Sequence, residues 1–136
     1  MDASQALAEL IELSSQVERA VVLDSGGAVL GSTEESEEAA QRLARAALDA
    51  LAAAGDLHSS SGEVTGVEVE LADGGLFVLR EGIRTIAATT GPSPTAGLVA
   101  YDLRTCLQGI EEEEEEKPKR RRARKKTEKE NEEKNE

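Results

Sequence analysis

A β-hairpin is predicted by the segment Val21-Val22-Leu23-Asp24-Ser25-Gly26-Gly27-Ala28-Val29-Leu30-Gly31-Ser32. Aliphatic residues on both sides predict two strands, Arg19–Asp24 and Ala28–Gly31. Ser25-Gly26-Gly27 predicts the turn between them, because glycine accepts a positive φ without strain.

The helix that follows the hairpin is unusually rich in alanine. Acidic residues between Ser32 and Glu38 suit its first turn, since negative charge is favourable at the positive end of a helix dipole. The helix is predicted to reach about Ala54 and to stop at Gly55, a C-terminal glycine signal. Its apolar stripe consists of Ala40, Leu43, Ala44, Ala47, Leu51 and Ala54.

Two further helices are predicted at the ends of the folded part. The first covers Asp2 to Ser15, with Asp2 as the cap and Gln5 in the capping-box position. The last is opened by Gly91-Pro92-Ser93-Pro94-Thr95, because proline fits the first turn of a helix. Its apolar face extends to Ile110.

Three more strands separate the second helix from the last one, with turns predicted at Asp73-Gly74-Gly75 and Glu81-Gly82. The element order is therefore α-β-β-α-β-β-β-α. Short turns make neighbouring strands antiparallel, and strands that are apolar on both faces need helices on both sides. We predict an α/β (α+β) fold, a three-layer α/β/α sandwich around a five-stranded antiparallel sheet. The three strands predicted between the second helix and the last one are Val67–Leu71, Leu76–Arg80 and Arg84–Thr89.

The composition changes abruptly at Ile110. Residues 1–110 contain 17 acidic residues, six arginines and no lysine, for a net charge of −11, whereas residues 111–136 carry −1. Residues 111–136 contain no Val, Leu, Ile, Phe, Tyr or Trp, so they cannot bury enough apolar surface to fold. The prediction is one domain over 1–110 and a disordered charged tail, a polyampholyte, over 111–136.

The cysteine content, the first residues and the length of the apolar stretches indicate the cellular compartment. Cys106 is the only cysteine, so an internal disulfide is excluded, as suits a reducing compartment. The first residues lack the pattern of a signal peptide, and no apolar stretch approaches the length of a membrane span. A cytoplasmic location is expected, and the Ala/Arg-rich composition suggests a bacterial source.

The pattern resembles the roadblock/LC7 family over about residues 5–108. Three parts carry the resemblance: the hairpin Val21–Ser32, the alanine-rich helix, and the segment Gly91–Val99 leading into Asp102-Leu103-Arg104. The resemblance implies an antiparallel five-stranded sheet and a homodimer formed through the middle helices and the third strands. It also implies a regulatory or scaffold role, often toward a small Ras-like GTPase, without nucleotide binding by the domain itself.

Catalytic chemistry is not indicated by the residues present. A phosphate-binding loop needs a lysine, and the first lysine is Lys117. His58, the only histidine, falls in a serine-rich loop, and Cys106 is expected to be a half-buried small hydrophobe. Acidic residues before the middle helix lack the spacing of a calcium loop. These acidic residues are Glu34, Glu35, Glu37 and Glu38. We therefore expect no enzyme activity, cofactor or metal.

Two sets of residues are candidates for binding. Alanines and leucines of the middle helix, together with valines of the third strand, are the predicted dimer interface, since apolar residues such as Ala39, Ala46 and Ala50 also lie off the stripe. The basic run of the tail could bind nucleic acid or an acidic surface through its charge. The interface set is Ala40, Leu43, Ala44, Ala47, Leu48, Leu51, Val67 and Val69. The tail set is Lys117, Lys119, Arg120, Arg121, Arg122, Arg124, Lys125 and Lys126.

The sequence is therefore interpreted as a non-enzymatic, dimeric adaptor or regulator, its partners being a second copy of itself and a small Ras-like GTPase. Two alternatives stay open. One is a small-ligand sensor domain, against which the scarcity of aromatic residues argues. The other is a nucleic-acid-associated protein that acts through the basic tail, although that run has no interleaved aromatic residues for base stacking.

Overall fold

The eight elements occur in the predicted order in a computed structural model of the chain. It describes residues 1–57 and 63–110, so His58 and the entire tail, 111–136, lie outside the described residues. The sheet has the strand order β2-β1-β5-β4-β3, and every neighbouring pair is antiparallel. The elements are α1 (Ala3–Leu13), β1 (Val17–Leu23), β2 (Val29–Ser32), α2 (Glu37–Gly55), β3 (Gly66–Leu71), β4 (Gly74–Glu81), β5 (Arg84–Thr90) and α3 (Ala96–Gln108).

Each face of the sheet carries its own apolar core, which confirms the three-layer sandwich. Successive side chains of a strand point to opposite faces, so Val22 of β1 packs under α1 and α3 while Val21 packs under α2. Central strands buried on both faces read as continuous apolar runs, as β1 and β4 do. The core under α1 and α3 includes Leu7, Leu10, Phe77, Ile86, Val99 and Leu103. The core under α2 includes Leu23, Leu43, Ala47, Leu51, Val78 and Ala87.

The first hairpin forms as its sequence predicts. The Asp24 carboxylate accepts hydrogen bonds from the backbone N–H groups of Gly26 and Ala28, at 2.8 and 3.0 Å. Gly27 adopts a φ of 90°, a conformation that few residues other than glycine accept readily. Short-range hydrogen bonds thus close this turn without help from the rest of the fold.

Side chains cap the first two helices. At α1, the Asp2 carboxylate accepts from the Gln5 N–H and the Gln5 side chain accepts from the Asp2 N–H, which is the predicted capping box. At α2, the Ser36 hydroxyl accepts from the Ala39 N–H at 3.1 Å. The end of α2 is predicted correctly at Gly55, but its C-cap, Asp56, is right-handed. Gly55 therefore ends the helix without the left-handed conformation that a C-terminal glycine signal implies.

The second hairpin differs from the prediction. Gly74 pairs with Leu71 and lies inside β4, so the turn consists of Ala72 and Asp73. Gly74 and Gly75 are needed for another reason, because both lie against Thr90 of the neighbouring strand. A Cβ at Gly75 would stand 3.0 Å from the Thr90 hydroxyl, and one at Gly74 would overlap the Thr90 carbonyl oxygen. These glycines allow strand-to-strand approach, and they do not form the turn.

The prolines before the last helix also lie outside the predicted position. Thr95 is the N-cap of α3, so Pro92 and Pro94 belong to the connection from β5 and not to the first helical turn. The Thr95 N–H donates to the side-chain oxygen of Gln16 at 2.6 Å. This long-range hydrogen bond ties the start of α3 to the segment between α1 and β1.

Candidate functional site

The apolar stripe of α2 faces the chain's own sheet. Five of the eight residues predicted for the dimer interface are buried inside the single chain, and Ala47 among them has no exposed surface. The physical reason is that one helix has to cover this face of the sheet, and its largest apolar stripe does so. These five residues therefore belong to the core of the single chain; they are Ala40, Leu43, Ala44, Ala47 and Leu51.

The remaining three predicted interface residues do reach the surface. Leu48 is 36% exposed and lies against Gly27 of the first hairpin. Val67 and Val69 of β3 are half-buried and share one face of the strand. Their contact with a second copy stays a prediction.

The sequence-based interface included Leu48 from the outer face of α2 and cited apolar residues off the stripe, but it did not include the rest of that face. The outer face combines small apolar residues with charges of both signs. Glu38 and Arg42 form an ion pair at 3.6 Å, one helical turn apart. The whole helix contains three acidic residues and two arginines, so its net charge is −1, whereas the net charge of residues 1–110 is −11. The exposed residues of α2 are Glu37, Glu38, Gln41, Arg42, Arg45, Ala46, Leu48, Asp49, Ala52, Ala53 and Gly55.

Strand β3 lies beside α2 at the edge of the sheet. It pairs with β4 on one side, and no described strand pairs with its other side. An edge strand presents unpaired backbone N–H and C=O groups, which can pair with another chain. On the face shared with α2, Leu71 continues the row of Val67 and Val69 and is mostly exposed. The outer face of α2 and the edge of β3, together called the α2–β3 surface, form the candidate site.

The polar residues flagged in the sequence have local structural roles. Glu37 and Glu38 occupy the first turn of α2. Glu34 forms an ion pair with Arg19 at 3.7 Å, and Arg19 also donates to the Thr89 hydroxyl at 3.3 Å. Among the described residues no group of three or more His, Cys, Asp or Glu side chains is arranged to hold a metal ion.

Cys106 packs beside Leu103 and Leu107 in the core under α1 and α3. Burial, and secondarily the negative charge of Glu9, raises the pKa of this thiol to about 11. The thiol is therefore protonated at neutral pH, and a thiolate nucleophile is not available there.

A cleft lies where the β1–β2 turn and the β4–β5 turn approach α2. Its volume is about 380 Å³, and Asp24, Leu48, Arg80 and Ile83 line it. The Asp24 carboxylate is occupied by the turn, and Arg80 forms an ion pair with Glu63 at 4.0 Å. No helix in the described ranges is long and apolar enough to cross a membrane.

A comparison with models of protein families identifies the family of this chain. The roadblock/LC7 domain model matches residues 4–90, from α1 to the end of β5. The chain belongs to the roadblock/LC7 domain family. No curated protein matches it at a significant level.

Solved roadblock/LC7-type structures share the fold at low sequence identity. A roadblock/LC7 domain from Streptomyces avermitilis superposes with a TM-score of 0.69 at 22% identity, over 79% of this chain and 93% of that one. MglB from Myxococcus xanthus gives 0.57 at 16% identity, over 76% and 77%. The gliding protein MglB from Thermus thermophilus gives 0.56 at 18% identity, over 76% and 82%.

Proposed function

We propose that this roadblock/LC7 protein is a non-enzymatic, cytoplasmic adaptor that forms a homodimer and regulates a small Ras-like GTPase. The observation that carries the proposal is the α2–β3 surface, a nearly neutral helix face beside an open strand edge in a strongly acidic domain. The GTPase is inferred from membership of the family, in which domains of this kind often act on such proteins.

Charge is the first argument for self-association at this surface. Two copies of a domain with a net charge of −11 repel each other, and the repulsion is smallest where acidic and basic side chains balance. On α2, Arg42 and Arg45 offset Glu38 and Asp49. Ala46 and Ala53 are exposed on the same helix, and their small side chains allow a second helix to approach closely.

The edge of β3 is the second argument. A second copy of β3, packed antiparallel, would satisfy the outward-facing backbone groups and extend the sheet across the dimer. Such an interface would also cover the exposed Leu71. The aliphatic core contains a single aromatic residue, Phe77, so additional buried surface would add usefully to the stability of the domain.

A dimer would act on a GTPase by conformational selection. A surface that binds one switch-loop arrangement better than another shifts the nucleotide-dependent equilibrium by its differential affinity, about 1–3 kcal/mol in typical cases. No arginine is assigned a catalytic role. Arg19, Arg42 and Arg80 each form an ion pair with a glutamate within the domain.

Light scattering and sedimentation of surface variants test the dimer. Ala46→Glu and Ala53→Glu each place a new negative charge on the proposed interface, and twofold symmetry brings two such charges into it. We expect at least a tenfold weaker dimer, about 1.4 kcal/mol, with unchanged helix content. Ala8→Glu on α1, which lies on the opposite side of the sheet, is the matched control. A wild-type chain that is monomeric at tens of micromolar would refute the dimer.

Nucleotide-dependent binding tests the proposed regulation of a small Ras-like GTPase. Purified Ras-like GTPases of the source organism, loaded with GDP or a non-hydrolysable GTP analogue, are titrated against the full chain. The proposal expects one of them to bind with a state preference of about 5–150-fold, and Ala53→Glu to weaken that binding. Equal affinity for both nucleotide states, or no binding by any of them, would contradict GTPase regulation while leaving the dimer intact.

A further inference from the structure

A groove runs between α1 and α3 on the side of the sheet opposite α2. The two helices are antiparallel neighbours, and the Met1 amino group donates to the Gly109 carbonyl oxygen at 3.2 Å where α1 begins and α3 ends. The floor of the groove is apolar and is formed by Ala6, Leu10 and Cys106. Its cavity is small, about 60 Å³, so it suits side chains laid along a surface better than an enclosed ligand.

The apolar character continues onto the outer surface of this layer. Leu13, which lines the groove at the end of α1, is 78% exposed. On α3, Leu98 is 49% and Tyr101 is 66% exposed. Leu98 precedes Asp102 by one helical turn, so both lie on the same side of α3. Leu13 at the groove, and Leu98 and Tyr101 elsewhere on α3, are exposed apolar side chains that a covering segment would shield from water.

The walls of the groove are acidic. Glu9 on α1 and Asp102 on α3 both line it; no arginine does, and the positive charge at the groove is the Met1 amino group, which donates to Gly109. Two other clefts contain arginine, Arg80 in one and Arg19 with Arg42 in the other, whereas the cleft at Glu18 has a single carboxylate and no arginine. The influence of Glu9 on the pKa of Cys106 shows that its negative charge acts on the floor of the groove. The ligand that matches this combination carries positive charge on long aliphatic side chains.

Such a segment starts close by in the same chain. Gly109 lines the groove, and Ile110 beside it is buried and is the last described residue. The run Lys117–Lys126 follows six glutamates later and has eight basic side chains in ten residues. Seven residue steps span at most about 25 Å, and α1 is about 16 Å long. The basic run can therefore reach any point of the groove.

We propose that Lys117–Lys126 docks in the α1–α3 groove of its own chain. The aliphatic stems of lysine and arginine cover the apolar floor, and their charged ends pair with Glu9 and Asp102. Tethering supplies a high local concentration, so weak individual contacts suffice. The attachment depends on charge, and added salt releases it. Because α2 covers the other face of the sheet and β3 forms its edge, the groove lies apart from the α2–β3 surface, and this docking does not depend on the proposed dimer.

Carbodiimide cross-linking of the full chain tests the docking directly. The reagent joins a carboxylate to an amine, and every lysine of the chain lies after Ile110. A domain-to-lysine cross-link therefore reports on the tail alone. At about 50 mM salt we expect Glu9 and Asp102 to be joined to lysines of the basic run, and about 300 mM salt to reduce these products several-fold. Amides formed within the tail provide an internal reference.

A matched pair of variants separates docking from random contact. Replacing Arg120, Arg121 and Arg122 with glutamine keeps every lysine and carboxylate but removes charge from the run, and should lower the groove cross-links at least fivefold. Replacing Lys129 and Lys134 with glutamine, outside the run, should leave them unchanged.

Mixing ¹⁵N-labelled with unlabelled protein identifies the chain that supplies the tail. Docking within one chain gives cross-linked peptides that carry a single isotope. Mixed-isotope peptides would assign the groove to the tail of a second copy and overturn the proposal. Cross-links spread over acidic residues on the opposite face of the sheet, such as Glu38 and Asp49 on α2, an equal yield from the arginine variant, or no domain cross-links at low salt would overturn it as well.

Discussion

Replacing Ala47 with glutamate tests whether the apolar stripe of α2 is core or interface. Ala47 has no exposed surface and lies in one apolar cluster with Val21, Val78 and Ala87. An unpaired carboxylate there costs about 3–5 kcal/mol, and the added volume costs about 1–3 kcal/mol more. A small domain has roughly 5–15 kcal/mol of stability in total. Ala47→Glu should therefore be severely destabilised or unfolded, and it should not be a folded monomer.

Urea denaturation at two pH values measures this effect. Burial raises the folded-state pKa of the new carboxyl above its unfolded value of about 4.3, so stability is retained below that pH and lost as the pH rises. The destabilisation should therefore be larger at pH 8 than at pH 4.5. Ala8→Glu, exposed on α1, should change stability by about 0.5 kcal/mol or less. A folded, monomeric Ala47→Glu protein as stable as the Ala8→Glu control would refute the core assignment and return Ala47 to the interface.

Three further outcomes are expected. Ending the chain at Ile110 should shift the melting temperature by less than about 2 °C at 300 mM salt, because the tail contains no Val, Leu, Ile, Phe, Tyr or Trp and this salt concentration releases the proposed docking; calorimetry showing a large loss would contradict this. Gly74→Ala should cost about 1–3 kcal/mol in urea denaturation, because its Cβ meets the Thr90 carbonyl oxygen, whereas Gly97→Ala, in open space on α3, should stabilise by up to about 1 kcal/mol. Between pH 9 and 11 the wild type should lose up to roughly 2–3 kcal/mol relative to Cys106→Ala, since the unfolded thiol ionises first; parallel pH profiles would show that burial leaves the thiol unshifted.

The sequence was sufficient for every element and for the layer architecture. The hairpin at Asp24–Gly27, the Asp2/Gln5 capping box and the end of α2 depend on contacts within a few residues, which local patterns encode. The continuous apolar runs of β1 and β4 already required helices on both faces of the sheet. Family membership followed from the order of these elements, and the family comparison confirms it.

The tertiary structure decided which surfaces are free. Helical periodicity placed Ala44 and Ala47 on the apolar stripe of α2 and Ala46 off it, but it could not show that the stripe packs against the chain's own sheet and not against a second chain. The role of Gly74 also depends on Thr90, which is distant in sequence and adjacent only across the sheet. The groove between α1 and α3 likewise depends on packing, because it brings together Glu9 and Asp102, which are distant in sequence. Burial and long-range approach are properties of the packed chain, and a linear pattern specifies the side chains without specifying which of them meet.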